Sequence, residues 1–206
     1  MDKDTLKNKL TEKSIIETMA RKGYAYFSTG DYNLNIIGIR SDQGRKVTNK
    51  FDDYLLLIYY VSGKLNIKIY SITTEPGRYY MMNKLGNSKG TAILVPGQYR
   101  GCWQIGKHNG KYEALVQVKP VSVYRDSNKD SMYDLKNTDK GLFGINIHRS
   151  SPYGTSATVD NWSAGCQVFA NSKDYDEFMG ICNKQKSKYG NSFTYTLLDE
   201  ADLHLK

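Results

Sequence analysis

The chain has 206 residues, of which 39% are hydrophobic and 24% are charged, and this balance excludes a disordered chain and predicts a soluble globular protein. Its net charge of +8 is scattered without a run of five basic residues, and no nucleic-acid-binding module is recognisable, so we expect no nucleic-acid partner. No apolar stretch approaches membrane-spanning length, so we also expect no membrane span.

Residues 1–30 are predicted to form an N-terminal helical appendage. Between Thr5 and Lys22, apolar residues recur at approximately helical spacing, and Gly23 is a plausible end of the helix. The first residues are polar and of mixed charge, without the apolar core of a signal peptide. We therefore expect no secretory signal and a protein that is made in the cytoplasm.

Strand patterns dominate residues 31–206, which we expect to form one mainly β domain. The 17 tyrosines, together with many Ile and Val residues, favour strands. Asp53 to Val61 carries bulky residues on both faces, and Ser62-Gly63 turns the chain into the alternating segment Lys64 to Ile72, which is a β-hairpin pattern. Further strands are predicted at Asn33–Ile39, Thr91–Val95, Tyr112–Val118, Val121–Tyr124, Leu142–Ile147 and Ser192–Leu198.

A late helix is predicted from Ser172, a natural N-cap, to Gly190-Asn191. Its apolar stripe has the spacing i, i+3, i+4 and i+7. The members of this stripe are Tyr175, Phe178, Met179 and Cys182.

The segment Gly144 to Phe169 contains the residues that suggest chemistry. A predicted strand ends at His148, a polar loop follows, and Ser163-Ala164-Gly165-Cys166 precedes another short apolar run. A free thiol has a pKa near ~8.5, so a cysteine nucleophile needs a neighbouring base such as an imidazole. A turn that contains glycine can direct backbone N–H groups towards an oxyanion. The pattern therefore predicts Cys166 as the nucleophile and His148 as its base.

This segment resembles the catalytic motif of the L,D-transpeptidase (YkuD-like) family, which is a histidine, a spacer and then Ser/Thr-His-Gly-Cys. Fourteen residues (149 to 162) separate His148 from Ser163 here. The Thr-Glu-Pro-Gly turn at residues 74–77, after the predicted hairpin, is similar to the family's Thr-Pro-x-Gly turn. The resemblance covers about residues 50 to 170. The whole chain also resembles a type of protein encoded by gut Bacteroidetes and their bacteriophages.

The resemblance implies a mainly β fold with flanking helices: a β-sandwich or partly open barrel with one N-terminal helix and one late helix. It also implies a cysteine-dependent acyl transfer on peptidoglycan stem peptides, either L,D-transpeptidation or L,D-peptide hydrolysis. Arg149 would orient the imidazole through its backbone carbonyl. The implied catalytic set is Cys166, His148, Gly165, Ser163 and Arg149.

Three positions depart from the family pattern. Ala164 replaces the second histidine, so the backbone amide remains but the side-chain contacts to substrate are lost. Val168 stands where the family has Asn or Arg, and Arg149 stands where the family often has Ser. We therefore expect the chemistry to be retained and the substrate specificity to be altered.

Four side chains are candidates for a substrate groove: Arg149, Trp162, Tyr99 and Arg100. The guanidinium of Arg149 could bind a stem-peptide carboxylate in bidentate fashion. The alternative for Arg149 is a solvated surface position, and for the aromatic residues it is ordinary packing.

We expect no cofactor, with calcium as the one alternative. Oxygen-bearing side chains alternate along a polar segment, as they do in a calcium loop. However, Ser131 stands at the usual central glycine and Asn137 at the usual final glutamate, and a polar turn is the other interpretation. The candidate ligands are Asp126, Asn128, Asp130 and Asp134.

Two classes of function remain open. The first is the enzyme, whose partner is the peptidoglycan stem peptide. The second is a non-catalytic structural or wall-binding protein on the same fold, for example a phage virion component whose partners are other virion proteins. The location expected after synthesis is a phage virion, or the cell wall after release.

Overall fold

The computed structural model describes residues 3–83 and 87–204. Three α-helices are found there: α1 (Lys3–Lys9), α2 (Glu12–Arg21) and α3 (Ser172–Tyr189). The strands are β1 (Asn35–Arg40), β2 (Asp53–Val61), β3 (Lys64–Thr73), β4 (Thr91–Leu94), β5 (Gly97–His108), β6 (Tyr112–Gln117), β7 (Val121–Asp126), β8 (Thr138–Gly141), β9 (Ile147–Arg149), β10 (Gln167–Phe169) and β11 (Phe193–Asp199). A π-helical turn spans Tyr79–Asn83 and a 3-10 turn spans Glu200–Leu203.

Eight strands close into a barrel in the order β1-β11-β5-β6-β9-β10-β3-β2, while β4, β7 and β8 form a separate three-stranded sheet. The prediction of a mainly β fold with flanking helices is confirmed. The hairpin β2–β3 pairs from Val61 and Lys64 at the turn to Asp53 and Ile72 at the far end. Parallel pairing occurs twice in the barrel, between β1 and β11 and between β9 and β10.

The bulky residues on both faces of β2 contact two different cores. Leu55 and Leu57 belong to the main core, which also contains Trp103. Leu56 and Ile58 alternate with them and pack against the N-terminal helices. Because successive side chains of a strand point to opposite faces, a strand covered on both sides has to be apolar throughout.

The N-terminal segment forms two helices, so the prediction of one continuous helix is wrong. Thr11 begins α2, because its hydroxyl accepts the backbone N–H of Ser14 while the Ser14 hydroxyl accepts the backbone N–H of Thr11. This capping box separates α2 from α1. Leu6 and Ile15 are fully buried against the barrel.

Helix α3 confirms the late helix and its buried stripe of Tyr175, Phe178, Met179 and Cys182. Its N-cap is Asn171, one residue before the predicted one, because the Asn171 side chain accepts the backbone N–H groups of Lys173 and Asp174. All four members of the stripe belong to the main core.

The predicted strand Leu142–Ile147 is wrong over most of its length, since β9 begins only at Ile147. The backbone N–H groups of Phe143 and Ile145 both donate to the side-chain oxygen of Gln117. A side chain from β6 therefore takes the hydrogen bonds that a strand partner would have taken. Among the helices of residues 3–83 and 87–204, none is long and apolar enough to cross a membrane.

Candidate active site

A cleft of about 760 Å³ brings the predicted nucleophile and base together. Cys166 and His148 both line it, and so do Ala164, Arg149 and Trp162. Lys111 and Arg149 are the charged residues in its described lining. The other residues that line it are Tyr80, His108, Asn109, Tyr112, Phe143, Gly144, Asn146, Ser150, Pro152 and Asn161.

Two short parallel strands position the pair. His148 lies on β9 and is the register partner of Val168 on β10, which begins directly after Cys166. The backbone N–H of Gln167 donates to the carbonyl of Asn146 at 2.9 Å. The loop between β9 and β10 therefore begins and ends at neighbouring strands. Cys166, at the end of this loop, consequently lies next to the strand that carries His148, although the two residues are distant in the sequence.

The hydrogen bonds of His148 define its tautomer. Its ring is buried, and Nδ1 lies 2.7 Å from the carbonyl oxygen of Arg149. Because a carbonyl oxygen only accepts, Nδ1 carries the proton and Nε2 is left with a lone pair. The hydroxyl of Tyr112 donates to the same carbonyl at 3.1 Å. Neutral His148 is thus in the tautomer that a general base needs.

The Cys166 sulfur makes two hydrogen bonds to the segment before β9. Its thiol donates to the carbonyl oxygen of Gly144 at 3.3 Å, and it accepts the backbone N–H of Asn146 at 3.4 Å. Burial raises the pKa of the Cys166 thiol to about 11, and the Asn146 N–H opposes this increase. Burial and then the neighbouring His108 lower the pKa of His148 to about 3. Both groups are therefore neutral near neutral pH, so a nucleophilic attack by this sulfur would require transfer of the thiol proton.

The turn before Cys166 is held by side chains. The Ser163 hydroxyl donates to the carbonyl of Cys166 at 2.9 Å and accepts the backbone N–H of Gly165 at 3.1 Å. The amide of Gln167 donates to the carbonyl of Gly165 at 3.3 Å, and Tyr195 donates to Gln167 at 2.8 Å. The Gly165 N–H is consequently occupied, so the amides of Ala164 and Cys166 are the candidate oxyanion donors of this turn.

The upstream Thr-Glu-Pro-Gly turn contacts the same loop. The backbone N–H of Gly77 donates to the carbonyl of Ser163 at 3.0 Å. Thr74, the first residue of this turn, is held in place because Asp53 accepts its backbone N–H at 2.7 Å and Arg40 donates to its hydroxyl at 3.0 Å. The two motifs that carry the family resemblance are thus neighbours in space as well as in order.

Of the predicted groove residues, two line the cleft and two do not. Trp162 is 39% exposed, and the guanidinium carbon of Arg149 lies 4.2 Å from the centre of the Tyr112 ring. The hydroxyl of Tyr99 instead donates to the carbonyl of Val95 at 2.6 Å, and its ring packs edge-on against a buried tryptophan. Arg100 is exposed on β5, outside the cleft lining.

Sequence reasoning missed His108, which stacks on His148. The two ring centres are 4.0 Å apart and the ring planes differ by 22°. His108 ends β5, a strand that no periodic pattern predicted, and only the closure of β5, β6 and β9 in the barrel brings it to the cleft.

The acidic segment after β7 is held by hydrogen bonds among its own members. The side-chain amide of Asn128 donates to Asp130 at 3.0 Å and to Asp134 at 3.1 Å. Asp126 accepts the backbone N–H of Asp134 at 2.8 Å, and its other oxygen has no hydrogen-bond partner. Within the described ranges, no group of three His, Cys, Asp or Glu residues is placed to hold a metal ion. Calcium binding at this segment stays a prediction.

Comparison of the chain with protein-family models finds no match, and comparison with the curated proteins finds none either.

Proposed function

We propose that the protein is a cysteine-dependent acyltransferase of the L,D-transpeptidase type that acts on peptidoglycan stem peptides. The observation that carries the proposal is that one cleft is lined both by the half-buried Cys166 and by His148, whose Nδ1 carries the proton. This is the arrangement that a thiol nucleophile and its base require. The family resemblance of the motif supplies the substrate class.

In the proposed reaction, the Cys166 sulfur attacks the carbonyl carbon of a peptide bond while Nε2 of His148 accepts the thiol proton. The electron pair of the carbonyl moves to its oxygen, towards the amides of Ala164 and Cys166. Collapse of this intermediate breaks the C–N bond, and His148 returns the proton to the leaving amine. The thioester then transfers its acyl group either to an amine, which is transpeptidation, or to a water molecule, which is hydrolysis; in both cases the Cys166 thiol is regenerated.

The charges of the cleft are consistent with an anionic peptide substrate. Lys111 and Arg149 are both cationic, and Arg149 is held over the Tyr112 ring beside the base. Guanidinium groups bind carboxylates in bidentate geometry, so Arg149 would bind a free carboxylate of the stem peptide.

The test is product analysis with disaccharide tetrapeptide, with and without an amine acceptor. Wild type should release the terminal amino acid or exchange it for the acceptor, and Cys166→Ala should do neither. His148→Ala should react about 10²–10⁴-fold more slowly, since that is the usual contribution of a general base. Cys102→Ala is the matched control, because Cys102 is a thiol outside the cleft lining and the variant should retain wild-type turnover.

One observation favours the second candidate, a non-catalytic wall-binding protein such as a virion component. The described hydrogen bonds of the Cys166 sulfur go to Gly144 and Asn146 and none goes to His148. A protein of this kind would bind stem peptides with equal affinity in wild type and Cys166→Ala and would release no product from either.

A further inference from the structure

The stacked pair His108 and His148 is the feature of the cleft that the proposed reaction does not use. The rings overlap at 4.0 Å, which is contact distance, and both belong to the cleft lining. His108 comes from β5 and His148 from β9, with β6 between these strands in the barrel. Such a pair brings two groups that can each take up a positive charge into direct contact.

Both ring nitrogens of His108 face side-chain amides: Nε2 lies 3.0 Å from the side chain of Asn109, and Nδ1 faces Asn146. The side-chain oxygen of Asn146 accepts the backbone N–H of Gln117 at 3.0 Å, so its amide nitrogen is the atom that faces Nδ1 of His108 at 3.1 Å. An amide nitrogen only donates, and Nδ1 of His108 therefore keeps its lone pair. Protonation of His108 at Nδ1 would bring two donors together, and the contact favours the neutral ring.

Asn146 also links this histidine to the nucleophile. Its backbone N–H donates to the Cys166 sulfur, while its side chain donates to His108. One residue thus holds both the thiol and the ring that stacks on the base. A movement of His108 would therefore displace both Cys166 and His148.

The remaining charged and titratable groups around the pair offer no anion to balance a second positive charge. Lys111 and Arg149 are cationic, and Tyr112 and Cys166 are neutral near neutral pH. Burial and then Lys111 lower the pKa of His108. Two like charges at this separation repel each other, so protonation of one ring opposes protonation of the other.

We propose that His108 is a positioning residue for His148: when neutral it holds the ring of the base by stacking, and when protonated it blocks the positive charge that His148 takes up during the reaction. Only the effect of His108 on the reaction rests on the proposed function, since the stacking and the repulsion exist whether or not the cleft is catalytic. Protonation of His108 would thus prevent His148 from taking up the thiol proton.

Two substitutions separate the two effects. His108→Phe keeps an aromatic ring on His148 but removes the charge and the acceptor of the Asn146 amide, whereas His108→Ala removes the ring as well. His204→Phe is the matched control, because His204 is exposed on the 3-10 turn region near the end of the chain and does not line the cleft.

The first measurement is an NMR titration of the His148 ring from about pH 8 down to about pH 2, with amide spectra to confirm the fold at each pH. In His108→Phe, His148 should titrate about one pH unit higher than in wild type, because a neighbouring positive charge is gone. His204→Phe should leave the His148 titration at its wild-type position. An unchanged titration in His108→Phe would overturn the inference.

The second measurement is the rate of Cys166 acylation near neutral pH. His108→Ala should lose about tenfold or more, because displacement of a catalytic group is costly, and His108→Phe should lose clearly less because it keeps the stacked ring. A wild-type rate in His108→Ala would also overturn the inference. A shifted titration without acylation in any variant would overturn the proposed function and leave the histidine pair as described.

Discussion

Gly165→Ala is the substitution whose effect can be worked out most directly from the structure. Gly165 precedes Cys166 and has φ +123°, in the region that side chains rarely adopt. A Cβ atom at this position would collide with the carbonyl oxygen of Ala92 on β4 and would lie 3.2 Å from Cδ1 of Ile145. The first of these neighbours is backbone, which cannot rotate away, so the turn itself would have to move.

The magnitude follows from two contributions. Backbone strain at a positive φ costs about 1–3 kcal/mol, and an extra methyl group in a packed site costs about 1–3 kcal/mol more. Gly154→Ala isolates the first contribution, because Gly154 has φ +64° and no described atom beyond its two chain neighbours lies within 4 Å of its Cβ position. We expect Gly154→Ala to lower the free energy of unfolding by about 1–2 kcal/mol and Gly165→Ala to lower it by about 1–3 kcal/mol more.

Urea unfolding of both variants and of wild type measures the two losses, and the rate of Cys166 acylation measures the displacement of the turn. Gly165→Ala should slow acylation by at least about tenfold, whereas Gly154→Ala should keep the wild-type rate. If Gly165→Ala were as stable as Gly154→Ala and reacted at the wild-type rate, the close approach of this turn to β4 would be refuted.

Four further predictions concern single side chains. Ser163→Ala should lower the free energy of unfolding by about 1–3 kcal/mol in urea, because it leaves the Gly165 N–H without its acceptor; an unchanged midpoint would contradict this role. Tyr112→Phe should slow acylation with little change in urea stability, because it removes a donor to the carbonyl that orients His148, and an equal loss of stability would indicate a merely structural role. The pKa of His148 is about 3 in the folded protein and about 6.5 in the unfolded chain. Its contribution to stability is therefore present above about pH 6.5 and is lost as the pH falls, by at most about 1.4 kcal/mol per pH unit. Urea unfolding of wild type and His148→Gln at several pH values should show this loss in wild type only. If the acidic segment binds calcium, the ion should raise the melting temperature and Asp126→Asn should abolish the increase, whereas no response to calcium or chelator removes the idea.

The elements that could be predicted are those whose pattern is local. The hairpin β2–β3 was predicted almost to the residue, because Ser62-Gly63 marks the turn and alternation marks the strand β3. Helix α3 was predicted because its apolar stripe and Gly190 are both visible in the sequence. Cys166 and His148 could be proposed as nucleophile and base because both belong to one motif that is visible in the sequence.

The elements that could not be predicted depend on distant partners. Strand β5 contains Gly97, Gly101 and Gly106, which are turn signals in a sequence, yet Gly106 is required because a Cβ there would lie 2.7 Å from the Val116 side chain on β6. The sequence predicts a strand before β9 because nothing local indicates that Gln117 accepts the backbone N–H groups of this segment. His108 could not be assigned to the site for the same reason, since the barrel closure that brings it to His148 leaves no local pattern.

The central claim is that Cys166 is a nucleophile and that His148 is its base. The most direct measurement is the intact mass of the protein after incubation with a stem-peptide fragment or a carbapenem, followed by peptide mapping of any adduct. Ala164→His serves as the specificity control: it should change which acyl donor is preferred while the adduct remains on the same cysteine. We expect an adduct on Cys166 in wild type, none in Cys166→Ala and a much slower one in His148→Ala. An adduct that forms equally well in Cys166→Ala, or no adduct with any donor in wild type, would contradict this claim.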